Sequence, residues 1–125
     1  MDGDFKIISE QMQASVPVTV FRISGWLDAQ SEGQLLASAQ EVYDEGVRYL
    51  LVDMSALDTL TSAGMRALQK VYQLFAPKDE NPKIAHLKLC QAPPQIYNVL
   101  SITGFLQTIL MYESEKAALE SFGNE

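Results

Sequence analysis

The run Val52-Asp53-Met54-Ser55-Ala56-Leu57-Asp58-Thr59-Leu60-Thr61-Ser62-Ala63-Gly64 gathers the groups of this chain best placed to do chemistry. Its apolar beginning reads as a buried strand that ends at Asp53, followed by a polar loop leading straight into a helix. Open α/β sheets bind ligands at such carboxyl ends of strands. Ser62 falls at or just inside the helix start, where backbone N–H groups lack intrahelical partners and the dipole end is positive. An anion is favoured there, so the Ser62 hydroxyl could accept a phosphoryl group of about −1.5 to −2 charge. Arg66 lies one turn along the same face and could pair with that group. Ala63 and Gly64 are small enough to let something approach the backbone. The plainer reading is structural: a Thr or Ser before a helix is an N-cap, and Arg66 a solvated surface residue.

Other chemistry finds less support. The carboxylates Asp28, Asp53 and Asp58 invite a magnesium site or a phospho-aspartate receiver. A receiver needs an acidic pair after its first strand, whereas Asp2 and Asp4 precede the first strand here. A magnesium-dependent α/β enzyme built on the three aspartates stays as the one catalytic alternative. His86 is the only histidine and has no Ser or Cys motif around it. Cys90, the single cysteine, can form neither an internal disulfide nor a cysteine-based zinc site, and reads as a small buried hydrophobe. No glycine-rich loop carries a lysine suited to nucleotide phosphates. Catalysis by this chain, a bound metal and a cofactor are therefore not expected.

Charge narrows the partners. Nine Lys plus Arg against sixteen Asp plus Glu give a formal −7. Nucleic acid and anionic membranes attract clustered cations, and the chain has no such cluster. A protein or small-molecule partner fits better. Hydrophobic residues at 47% and charged residues at 20% exclude a disordered chain, which could not bury enough apolar surface to offset its ordering entropy. No apolar run approaches the ~20 residues of a membrane-spanning helix, and the acidic start is not a signal peptide, so a cytoplasmic, reducing setting is expected. Without repeats or composition shifts, residues 1–125 read as a single domain.

The elements that must position Ser62 follow from periodicity. Phe5 to Ser9 reads as a short opening strand and Val18 to Ile23 as a second, ending at Gly25. Leu35, Leu36, Ala39, Val42 and Tyr43 recur at helical spacing between Asp28 and Gly46. Tyr49 to Val52 is apolar without alternation, as in a parallel strand covered on both faces. Met65, Leu68, Val71, Tyr72 and Phe75 form the clearest helical stripe, closed by Pro77. After a charged loop over Lys78–Lys83, Ile84 to Leu89 alternates, with His86 and Lys88 on the wetter side. Pro93 and Pro94 open a helix that Gly104 stops. Thr108 to Tyr112 is a last strand, and Glu113 to Phe122 a terminal helix with Ser114 near its start. The order is strand, strand, then three helix–strand repeats and a helix. It predicts an α/β fold: a mainly parallel mixed sheet of about five strands covered by about four helices, with the opening pair hairpin-like.

Four separated motifs resemble those of the STAS domain, the fold of anti-sigma factor antagonists. Gly25-Trp26-Leu27-Asp28 is similar to the family's glycine-x-leucine-aspartate after its second strand. Val52-Asp53-Met54-Ser55 resembles the aspartate-bearing end of its third. Thr61-Ser62-Ala63-Gly64 resembles its aspartate-serine-serine/alanine-glycine phosphorylation motif, and Leu100-Ser101-Ile102-Thr103-Gly104-Phe105 its leucine-x-x-threonine-glycine-leucine helix end. The match runs from Phe5 to Phe122.

That resemblance implies a STAS-like fold and a non-enzymatic phospho-switch. The unmodified antagonist binds an anti-sigma factor, itself a serine protein kinase, and is released when the kinase phosphorylates Ser62 from ATP. Asp28, Asp53 and Asp58, if gathered at the strand ends, would repel the added charge. Thr61 stands where the family has aspartate, which removes a charge from the kinase-facing surface and makes Thr61 a second candidate acceptor. The partner-facing residues implied are Trp26, Asp28, Asp58, Thr61, Ser62, Ala63, Gly64 and Arg66. Trp26 has an alternative role as cover for the end of the core. The resemblance also permits an interaction subunit of a sensory assembly or of a membrane transporter. A monomer or weak homodimer is expected.

Overall fold

A computed structural model describes residues 4–76 and 86–123. The elements run β1 (Lys6–Gln13), β2 (Pro17–Leu27), α1 (Glu32–Asp44), β3 (Leu50–Leu60), α2 (Ser62–Phe75), β4 (Leu87–Cys90), α3 (Pro94–Ile102), a 3₁₀ turn (Phe105–Gln107), β5 (Met111–Tyr112) and α4 (Glu115–Ser121). This is the predicted order. The strands form one mixed sheet in the order β1-β2-β3-β4-β5, with β1 antiparallel to β2 and every later pair parallel.

That order decides where the helices go. Parallel strands are joined by right-handed crossovers, and each crossover here steps the same way along the sheet. All three crossover helices therefore land on one face. Phe21, Ile23, Val52 and Leu89 point to that side and pack with Leu35 of α1, Leu68 and Val71 of α2 and Leu100 of α3. Strand alternation sends Val18, Val20, Leu51 and Cys90 to the other face, where Ala118 and Phe122 close over them.

Local chemistry fixes the helix ends. The Ser114 hydroxyl accepts the Ala117 N–H at 3.0 Å and caps α4. Pro94 occupies the first turn of α3, where its missing N–H costs nothing. Gly104 ends α3 at φ +77, and the Thr103 hydroxyl donates to the Val99 carbonyl at 2.9 Å.

The strands differ from expectation in length. β1 continues through the polar stretch to Gln13, because an edge strand paired on one side tolerates polar residues on its exposed side. β2 does not stop at Gly25; it passes through that glycine to Leu27. The expected loop after Asp53 is strand as well, since β3 pairs with β2 as far as Leu60, with register shifts at Arg22/Ser24 and Gly25/Trp26. Bulges of this kind let a strand bend while pairing continues. β5 is two residues long. Lys88 does not face solvent: α4 covers it completely, and its ammonium donates to the Ser121 carbonyl and hydroxyl at 3.2 and 2.8 Å. The expected Pro77 stop, the Lys78–Lys83 loop and the first residues of the fourth strand lie outside the described residues.

Candidate functional site

Two chain segments make the site, and a backbone contact joins them. β2 ends at Leu27, whose carbonyl oxygen accepts the N–H of Thr61 at 3.1 Å, just after β3 ends. Gly64 is buried against the same carbonyl, and a Cβ there would overlap it. The small pair Ala63 and Gly64 was expected to leave room for a visitor. At Gly64 the neighbour is the chain itself, and the glycine serves packing. Gly25 works similarly: at φ +87 it passes under Asp4, whose carbonyl oxygen occupies the space a Cβ would need. That crossing brings Phe5 to the site.

At the start of α2 the two hydroxyls divide their work. Thr61 is the N-cap, extended at φ −104 and ψ 175, and its Oγ1 accepts the Gly64 N–H at 3.3 Å. Ser62 is the first helical residue, is exposed, and makes no side-chain hydrogen bond among the described residues. Helix starts leave N–H groups pointing outward, so the Ser62 hydroxyl lies beside unsatisfied donors and a positive dipole end. Arg66 is one turn along, exposed, with no ion pair among the described residues.

A groove runs between this helix start and the turn after β2. Trp26, Asp28, Thr61, Ser62, Ala63 and Arg66 all line it, and Phe5, Gln30 and Gln34 join them. Asp58 stands beside the groove, where it accepts the Trp26 indole N–H at 3.0 Å. Asp28 holds the turn: its Oδ1 accepts the N–H groups of Gln30 and Ser31 at 3.0 and 3.2 Å. The buried Ser31 completes the knot by donating to the Trp26 carbonyl at 2.8 Å. Gln30 and Gln34 follow Asp28 closely enough that its placement could have found them. Phe5 gave no sequence signal, since only the strand crossing at Gly25 brings it here.

Asp53 does not join Asp28 and Asp58. It shares the opposite sheet face with Leu51, is buried, and pairs with Arg22 at 2.9 Å. Arg22 also pairs with Glu10 at 2.9 Å and with Glu115 at 2.6 Å. Hydrogen bonding to Glu115, with Glu10 and Asp53 adding, raises the Arg22 pKa above its ordinary value against the opposing effect of burial. The magnesium reading needed the three aspartates together, and the structure separates them. Among the described residues no group of three or more His, Cys, Asp or Glu side chains could hold a metal ion. Cys90 is buried on the same face as Asp53. Burial pushes its thiol up to about 12, with Asp53 and Glu115 adding to the effect. His86 stacks on Tyr49 with ring centroids 4.5 Å apart.

Comparison with known proteins agrees with this architecture. The STAS domain family model matches residues 10–118. A Bordetella bronchiseptica protein, BtrV, described as a candidate anti-sigma factor antagonist, is 29% identical over 100 residues, covering 80% of this chain and 82% of that protein. An anti-sigma factor antagonist from Mycobacterium paratuberculosis has a similar fold, with a TM-score of 0.78 at 21% identity over 94% of this chain and 92% of its own. The Bacillus anti-sigma factor antagonist SpoIIAA, solved in its unphosphorylated form, gives a TM-score of 0.70 at 16% identity, covering 92% and 94%. A sulfate transporter family protein from Wolinella succinogenes shares the fold too, with a TM-score of 0.66 at 19% identity, covering 82% and 81%. No helix of the described residues is long and apolar enough to cross a membrane.

Proposed function

The chain belongs to the STAS domain family, and on that premise we propose that it is an anti-sigma factor antagonist whose partner binding is switched by phosphorylation of Ser62. One observation carries the reading. Ser62 presents an exposed, unengaged hydroxyl at the first position of α2, while Thr61 beside it does the capping. Modifying Thr61 would remove the cap, whereas modifying Ser62 leaves α2 intact.

The chemistry asks this chain only to be the acceptor. In the partner kinase, the Ser62 oxygen forms a bond to the terminal phosphorus of ATP as the bond to ADP breaks. The serine proton passes to a base of the kinase. The product carries about −1.5 to −2 charge in the groove. The α2 start and Arg66 stabilise part of it within the protein. Asp28 in the lining and Asp58 nearby oppose it, while Asp53 lies outside the groove and is paired with Arg22. A docked partner would have to desolvate that dianion against acidic neighbours, so the unmodified form binds and the modified form is released.

The test is direct. The protein is incubated with ATP and proteins of its source organism, and phosphate is located by mass spectrometry. One phosphate at Ser62, lost in Ser62→Ala, is expected, with Ser62→Asp weakening retention of the captured kinase several-fold. Phosphate at Thr61 alone, or equal retention of wild type and Ser62→Asp, would overturn the switch. The second outcome would favour the alternative reading, a constitutive interaction subunit.

A further inference from the structure

The surface around Trp26 carries more detail than a switch at Ser62 requires. Trp26 is the only tryptophan of the chain, lines the groove, and keeps 39% of its surface exposed. Its ring is not free to swing, because the indole N–H is held by Asp58 Oδ2 at 3.0 Å. Asp58 is itself exposed and pairs with no cation among the described residues. The indole uses one of its two oxygens, so most of its charge remains available. Asp28 lines the same groove, where Arg66 is the single cation among the described residues, in a chain of formal charge −7. A pinned aromatic face beside an unneutralised carboxylate has a natural complement in a planar cation. An indole face attracts cations, and a guanidinium can lie on it while forking two N–H groups toward a carboxylate. A lysine ammonium offers a point charge and no plane to stack.

The chain already uses both halves of this pairing elsewhere. The Arg48 guanidinium lies 3.8 Å over the Tyr43 ring. The other acidic cluster, formed by Glu10, Asp53 and Glu115, is filled by its own Arg22.

We propose that Trp26 and Asp58 form a clamp for an arginine side chain of the docking protein, the guanidinium lying on the indole and pairing with the Asp58 carboxylate. The inference rests on the reading that this groove docks a protein, and it names what that protein contributes. Tryptophan and arginine are the residue types most often found to dominate interface energetics.

Because Trp26 is the sole tryptophan, its fluorescence reports binding at this place alone. Capped hexa-arginine, hexa-lysine and hexa-citrulline peptides are titrated into the whole protein. Wild type should bind the arginine peptide about five-fold more tightly than the lysine peptide, by this signal, with no response to citrulline. Asp58→Asn keeps an acceptor for the indole N–H and removes the charge. It should weaken arginine binding about five-fold and level the two peptides, with unchanged circular dichroism. Equal affinities for arginine and lysine in wild type, or an Asp58→Asn variant that binds as wild type does, would overturn the clamp. The assay contains no ATP and no kinase. Its failure leaves the Ser62 switch standing, and a Ser62 that takes no phosphate leaves the clamp standing.

Discussion

Gly64 packs directly on the carbonyl oxygen of Leu27, so closely that α2 could not start where it does with any side chain at that position. The same carbonyl receives the Thr61 N–H, so one atom ties the end of β2 to the beginning of α2. Gly64→Ala should therefore destabilise by more than about 2 kcal/mol, since either the helix start or the strand end must shift. Gly33 near the start of α1 has nothing within 4 Å of its missing Cβ, and Gly33→Ala should stabilise by about 0.5–1 kcal/mol. Urea unfolding of the two variants should move the midpoint in opposite directions.

The division between the two hydroxyls can be read from stability alone. Thr61→Ala removes an N-cap and should cost about 1 kcal/mol. Ser62→Ala removes an exposed hydroxyl with no side-chain hydrogen bond among the described residues and should stay within about 0.5 kcal/mol of wild type. Chemical denaturation of both variants tests this, and equal losses would mean that Ser62 supports the fold.

Arg22 holds three carboxylates from β1, β3 and α4 together. Arg22→Met would leave Glu10, Asp53 and Glu115 facing one another and should cost about 2–4 kcal/mol. Glu115→Gln leaves Arg22 its two other partners and should cost only about 1 kcal/mol. Thermal unfolding at neutral pH should rank them in that order.

Cys90 sets an alkaline limit. Its folded pKa is raised to about 12 from an ordinary 9.0 by burial. Below about pH 9 both folded and unfolded thiols are protonated and stability does not depend on this group. Between about pH 9 and 12 the unfolded chain loses the proton first, so stability falls as pH rises, by up to about 1.4 kcal/mol per pH unit. Cys90→Ala should remove that part of the slope, measured by urea unfolding across the alkaline range.

Much of this molecule was legible in its residues, and the exceptions share a cause. Order and helix positions could be read because the stripe from Met65 to Phe75 and the capping at Thr61 are local signals. The reach of β3 to Leu60 could not, because Asp53, Ser55, Asp58 and Thr59 look like loop residues until the bulged pairing with β2 is known. The face of Asp53 was hidden for a related reason. Its parity with Leu51 is visible in sequence, but which face α4 would cover is not. Lys88 shows the same limit, since a lysine on an alternating strand reads as wet unless the terminal helix is known to close over it. The groove gathered six expected residues because two adjacent strand ends supply it. Phe5 arrives only through the crossing at Gly25.

The strands stand side by side in the order in which they occur along the chain. No strand has to be inserted between two that are already paired. A nascent polypeptide leaving the ribosome can therefore lay down each rung against the one before it, beginning with a hairpin and growing in a single direction. The groove draws on β2, the turn after it, α1 and the start of α2, all in the first three-fifths of the chain, so its walls are synthesised before the far edge of the sheet exists.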